Sequence, residues 1–383
     1  MADSNDRDTA TRASKERRQV EHPWPRERKE KGQKRPKRSM EERLRVYEQH
    51  AEGYEFIPAL MHVLERYMAG TAKRGGNRLD ERMARALDEA KVRPIIERAV
   101  RAHNAIPLEL RRQAFSPKYL AMPVEEPITE DEAAAIVERG ARLANRPVTA
   151  VDREMLARAD AKGRGGCCCA DDRPPRDPEP PKPPPNQYEL TFAKLYCVDE
   201  SDPEWWGDDE PYGVFGIITE EMAESGTAAV AVATPVYEDV EDGSTRPSGG
   251  DQNLRLFGFT GPRAIASSVL VTGTCFEHDL GDVSDSTDAV RAALTAVATK
   301  AAAAGGVAGW IVAGVAVVGI GVSYIVDLVG ADDKINGSLA LSITQADADA
   351  KTAGANPFFY PPLHFDGGDG DGIYDLYLKL RRA

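Results

Sequence analysis

The sequence predicts an α+β multidomain protein: a small N-terminal helical domain, then an antiparallel β-sandwich carrying an inserted Ala/Gly-rich helical hairpin. Three observations lead there. Apolar residues recur at steps of three and four within residues 39–161, the spacing of one helix face. From residue 187 onward, short runs rich in β-branched and aromatic residues alternate with Gly-, Asp- and Pro-rich turns, the texture of a β-sandwich. The charge changes with the texture: residues 1–170 carry 35 basic and 28 acidic side chains, net +7, whereas residues 171–383 carry 14 and 34, net −20.

Residues 1–38 read as a disordered basic arm. Eight basic residues fall between Arg26 and Arg38, and Pro25, Gly32 and Pro36 oppose any helix. Such a run is a solvated tail or a docking segment for an anionic surface, and interleaved acids from Asp3 to Glu30 dilute it. The arm lacks the apolar stretch of a signal peptide. The expectation is a cytoplasmic protein, or one exported without a signal peptide, with peripheral membrane association open. The overall net charge of −13 argues against a dedicated nucleic-acid binder.

Residues 39–161 read as the helical domain. Ser39-x-x-Glu42 forms a capping box, in which the hydroxyl accepts from an N-terminal amide and the carboxylate reaches back. Leu44, Tyr47, Ala51, Tyr54, Ile57, Met61, Leu64 and Met68 continue one stripe, which Gly53 and Pro58 split. A further helix is expected from Leu79 to Val92, and Pro94 suits the first turn of the next. Thr129-x-x-Glu132 and Thr149-x-x-Asp152 mark two more starts.

Residues 162–186 read as a linker, with Cys167-Cys168-Cys169 followed by a Pro-rich run from Pro174 to Pro185. Proline at that density favours an extended, semi-rigid spacer. The cysteine triplet lacks the spaced partners of a zinc site. Five cysteines in all are too few for a disulfide scaffold, and Cys197 and Cys275 are expected as reduced core thiols.

Residues 187–383 read as the sandwich. Strands are expected at 190–197, 212–219, 228–233, 254–260, 268–276, 338–343 and 373–380. One segment breaks the pattern: a helix from Ser286 to Lys300 leads into 26 uncharged residues, Ala301 to Val326. As one helix that run would span about 39 Å, enough for a hydrocarbon core of about 30 Å. A single crossing would put the strands before and after it on opposite sides of a membrane. The expectation is therefore a hairpin over residues 284–331 that turns near Gly305-Gly306 and either packs on the sheet as a cap or enters a bilayer. Pro357 to Phe365 reads as an apolar loop, and Asp366-Gly-Gly-Asp369-Gly-Asp371-Gly372 as a tight turn before the last strand.

Glu204-Trp-Trp-Gly207-Asp-Asp-Glu210-Pro211-Tyr212 follows the first strand and opens the second. It resembles the D-x-x-G-x-S-D-P-Y loop of the C2 domain family. Cys275-Phe-Glu277-His-Asp279 resembles that family's apolar strand running into D-x-D, and Asp332-Asp333-Lys-Ile335 resembles the D-D-x-I that follows. The resemblance covers parts of residues 188–383 only. It implies a C2-like sandwich whose loops gather Glu204, Glu210, Glu277, Asp279 and Asp333 at one end to hold calcium. Three of the five are Glu where the family has Asp, and Asn336 stands where it usually has Gly. Calcium takes six to eight oxygens in flexible geometry, so carboxylates on loops suit it.

No H-E-x-x-H, G-x-S-x-G or P-loop motif occurs, so no enzyme is expected. The leading expectation is a non-enzymatic attachment protein whose partner is an anionic membrane surface or a protein assembly, with calcium as cofactor and no specific nucleic acid. Two alternatives stand beside it. One is a toxin-like effector whose glycine-rich hairpin permeabilises membranes; the other is a soluble scaffold.

Overall fold

The computed structural model describes Leu44 and residues 55–72, 77–143, 184–200, 210–278, 282–329, 333–367 and 372–383. For residues 137, 138, 140–143, 301–317, 333, 336 and 337 it describes the backbone alone. The arm, the Ser39 and Thr149 helix starts and the Cys- and Pro-rich stretch up to Pro183 lie outside the described residues.

The helical part begins with α1 (Phe56–Ala69), which carries Pro58 in its first turn and ends at Gly70 with φ 73°. Proline at a helix start removes an amide that has no intrahelical partner anyway, and glycine takes the left-handed cap without strain. In α2 (Arg78–Ala90) the Asn77 side chain caps the Asp80 amide at 3.0 Å. Helix α3 (Arg93–Ala105) opens with Pro94, as its sequence predicts. Two short helices follow, α4 (Leu108–Ala114) and α5 (Pro117–Leu120). At α6 (Glu130–Leu143) the Thr129 hydroxyl accepts from the Glu132 amide at 3.2 Å, the cap its spacing predicts.

The sandwich part contains β1 (Tyr188–Asp199), β2 (Pro211–Thr219), α7 (Glu220–Ser225), β3 (Val230–Ala233), β4 (Thr245–Arg246), β5 (Leu254–Phe257) and β6 (Ser268–Glu277). After these come the long helical segment α8 (Val283–Val329), β7 (Asp333–Thr344), α9 (Gln345–Gly354), β8 (Phe358–Phe359), β9 (Leu363–Asp366) and β10 (Ile373–Arg382). One sheet runs β4-β1-β10-β8, with β5 on β1 and β9 on β10; the other runs β3-β2-β6-β7. The strand pairings are antiparallel.

The two sheets enclose one core. Leu190, Phe192, Leu195, Leu376 and Leu378 meet Phe215, Ile217, Val269 and Val271 across it. Alternate residues of β2 point the other way: Tyr212, Val214 and Ile218 join a second core built with the helices. Side chains alternate faces along a strand, and β2 is buried on both. This is why Tyr212–Thr219 is almost continuously apolar.

Segment α8 lies between these layers. It packs on β2, β6 and β7 on one side and on α1, α2, α3 and α6 on the other. Ala289, Val290, Ala293, Leu294 and Val297 from its first part and Val318, Val322, Tyr324 and Ile325 from its last part share one apolar cluster with both neighbours. Close approach to the sheet requires glycine: a Cβ on Gly216 would sit 2.8 Å from Leu294 Cδ2 and 3.1 Å from Val290 Cγ1. A Cβ on Gly321 would sit 2.7 Å from Val297 Cγ2 and 3.1 Å from Phe56 Cε1. Val297 therefore lies against Gly321, although 24 residues separate them. The helical assignment itself is continuous through Gly305-Gly306. Among the described residues, no helix is long and apolar enough to cross a membrane.

Candidate functional site

One end of the β3-β2-β6-β7 sheet gathers the acidic positions. In the ladder Pro211 pairs with Glu277, and Glu277 pairs with Asp333. Glu210 immediately precedes Pro211, and its carbonyl accepts from the His278 amide at 3.1 Å. The start of β2, the end of β6 and the start of β7 thus lie side by side. Segment α8 runs between the last two.

The aromatic face beneath this end is well ordered by contacts. Tyr212 stacks on Phe276 with ring centres 5.3 Å apart, and its edge meets the His278 ring at 6.2 Å. The Tyr212 hydroxyl bonds Ser286 Oγ at 2.8 Å in a buried contact. This ties the first turn of α8 to β2. His278 Nδ1 lies 3.3 Å from Glu210 Oε2. On the return side Lys334 pairs with Asp327 at 2.9 Å and reaches the Ser323 hydroxyl at 2.5 Å. The start of α8 is therefore fastened to β2 and its end to β7.

Of the five carboxylates expected as ligands, the ladder pairs Glu277 with Asp333, and Glu210 directly precedes Pro211, the other register partner of Glu277. Glu204 and Asp279 lie outside the described residues, and Asp333 is described by its backbone alone. Among the described residues, no group of three or more His, Cys, Asp or Glu side chains is placed to hold a metal ion. Cys197 and Cys275 are buried in the sandwich core. Asp366 pairs with Ile373 and the Gly367 amide donates to the Gly372 carbonyl at 3.0 Å; residues 368–371 of the acidic turn expected there lie outside the described residues.

The sequence reading missed two polar features at the seat of α8. His103 Nδ1 and the Tyr324 hydroxyl share a buried hydrogen bond of 2.7 Å between α3 and the end of α8. Burial, and then the Arg111 charge, lower the His103 pKa to about 3. Burial also raises the Tyr324 pKa. Both groups are neutral near pH 7. The second feature is Lys300, fully buried in the same cluster. One signal pointed to it: Lys300 is the only charged residue between Arg291 and Asp327.

No protein-family model matches this chain, and no curated protein matches it.

Proposed function

We propose that the protein is a non-enzymatic attachment protein. In this reading the acidic end of a C2-like sandwich takes up calcium, and the insert leaving from that end docks on an anionic membrane surface or a protein assembly. The observation that carries it is the register Pro211–Glu277–Asp333, which sets three of the expected carboxylate positions beside the base of the apolar insert. The donors are carboxylate oxygens, the chemistry calcium prefers. Three carboxylates fall short of its six to eight ligands, so Glu204, Asp279, backbone carbonyls and water complete the shell in this proposal.

The insert belongs to the same proposal as a folded-back pair of helical arms. A straight helix of 47 residues would be about 70 Å long. Its ends connect to Glu277 and Asp333, which are register partners, through connections that reach about 35 Å in total. The contact of Val297 with Gly321 supports the same geometry, since a straight helix would hold them about 36 Å apart. Such an insert attaches from one side and need not cross a bilayer.

Flotation of the full chain with anionic liposomes tests the proposal. Co-flotation with calcium and loss of it with chelator is the expected result; no lipid association in either condition overturns the membrane branch. Burial of both ends of α8 favours a second reading, a soluble scaffold in which the insert only joins two layers. Calcium-independent, protease-protected α8 would favour that reading. Dye release from the vesicles would instead point to a toxin-like action.

A further inference from the structure

We infer that Lys300 makes the seat of the insert acid-labile: α8 stays clamped between the helical layer and the sheet only while this amine is uncharged. Lys300 is 0% exposed, and among the described residues its Nζ has no hydrogen-bond partner. The Nζ lies 4.8 Å from the centre of the Phe56 ring, beside the point where Val297 and Phe56 close on Gly321. An ammonium carries three donors, and burying one without acceptors is strongly unfavourable.

The charged neighbours are committed elsewhere. From the start of α1, Glu55 faces the amine but pairs with Arg139 of α6 at 2.6 Å. From α6, Glu132 faces it but pairs with Lys118 and accepts the Tyr119 hydroxyl at 2.8 Å. Among the described residues the facing set therefore holds two carboxylates and two cations, with the cations already bound to the carboxylates. Burial lowers the Lys300 pKa well below its ordinary value, and Glu132 and Glu55 restore only part of the loss. Exposed by opening, the same amine would regain a proton at neutral pH. Opening therefore takes up one proton. It becomes up to tenfold more favourable for each pH unit lost between the ordinary lysine pKa and the depressed one. Full clamping belongs to high pH and is lost as pH falls.

The inference requires neither calcium nor lipid, so it stands or falls apart from the attachment reading. Hydrogen exchange on the full chain in plain buffer tests it, with rates converted to protection factors for residues 289–298 and 318–329. From about pH 9.5 to about pH 7, a range above the ordinary pKa of histidine, wild-type protection should fall by up to tenfold per pH unit. Peptides of β1 and β10 should change less. Lys300→Met should flatten the profile and exceed wild-type protection at pH 7, and Lys300→Leu should do the same. A flat wild-type profile, or equal slopes in wild type and both variants, overturns the inference. So does failure of both variants to fold, because an uncharged apolar side chain should improve this seat.

Discussion

His103 and Tyr324 meet at 2.7 Å across the boundary between α3 and the end of α8, and the Phe115 ring sits edge-on to Tyr324 at 5.5 Å. The bond joins residues 221 positions apart. It carries a pH dependence with a definite sign. The folded His103 pKa is lowered to about 3 from an ordinary 6.5. The stability it contributes is complete above pH 6.5 and is lost as pH falls toward 3. Urea denaturation of the full chain from pH 7 to pH 4 should show this loss, at up to about 1.4 kcal/mol per pH unit. His103→Phe should remove that slope. It should also lower stability at pH 7 by about 0.5–1.5 kcal/mol, because the buried His103–Tyr324 hydrogen bond is lost.

The contact between Val297 and Gly321 gives a direct test of the folded-back insert. Gly321→Ala forces a Cβ to within 2.7 Å of Val297 Cγ2. Overpacking of this kind costs about 1–3 kcal/mol. Val297→Ala should relieve it, so the double variant should be more stable than the sum of the singles by about 0.5–3 kcal/mol. Thermal or urea denaturation of the four proteins measures the coupling. Strict additivity would place the two residues apart.

Glu220 opens α7 and is 2% exposed. Burial raises its carboxyl pKa above the usual range. The stability linked to this group is therefore complete below an ordinary carboxyl pKa and is lost as pH rises through the folded value. Glu220→Gln should be more stable than wild type at pH 7 by about 1 kcal/mol, with the difference disappearing below about pH 4.5. Denaturation midpoints at the two pH values decide it.

Much of the architecture was legible because strands and capped helices are local patterns. The Tyr212–Thr219 run and the Thr129 cap appear where their residues put them. Strands β4, β8 and β9 span two to four residues, too few for a period to register. The caps at Thr219 and Thr344, whose hydroxyls accept from the Met222 and Asp347 amides, follow apolar runs that read as strand. The strand expected over residues 254–260 ends at Phe257, where Gly258 turns the chain with φ 75°.

The seat of α8 was less legible. A helix that is apolar all round suits a bilayer, a sheet or a helical layer equally, and only tertiary pairing distinguishes them. That is why the sharing of one core by the helical part and the sandwich part was not anticipated. At the acidic end, the neighbouring positions of Glu277 and Asp333 depend on a pairing across 56 residues. The two separate loop motifs suggested it; composition alone did not.

Calcium calorimetry on the full chain tests the attachment proposal most directly at its acidic end. Wild type should give saturable heat that chelator abolishes. Glu210→Gln and Glu277→Gln, checked as folded by circular dichroism, should each weaken binding at least tenfold, since each removes a charged oxygen ligand from a site that prefers them. No calcium-dependent heat in wild type, or unchanged binding in both variants, would contradict a cation site at this end of the sandwich.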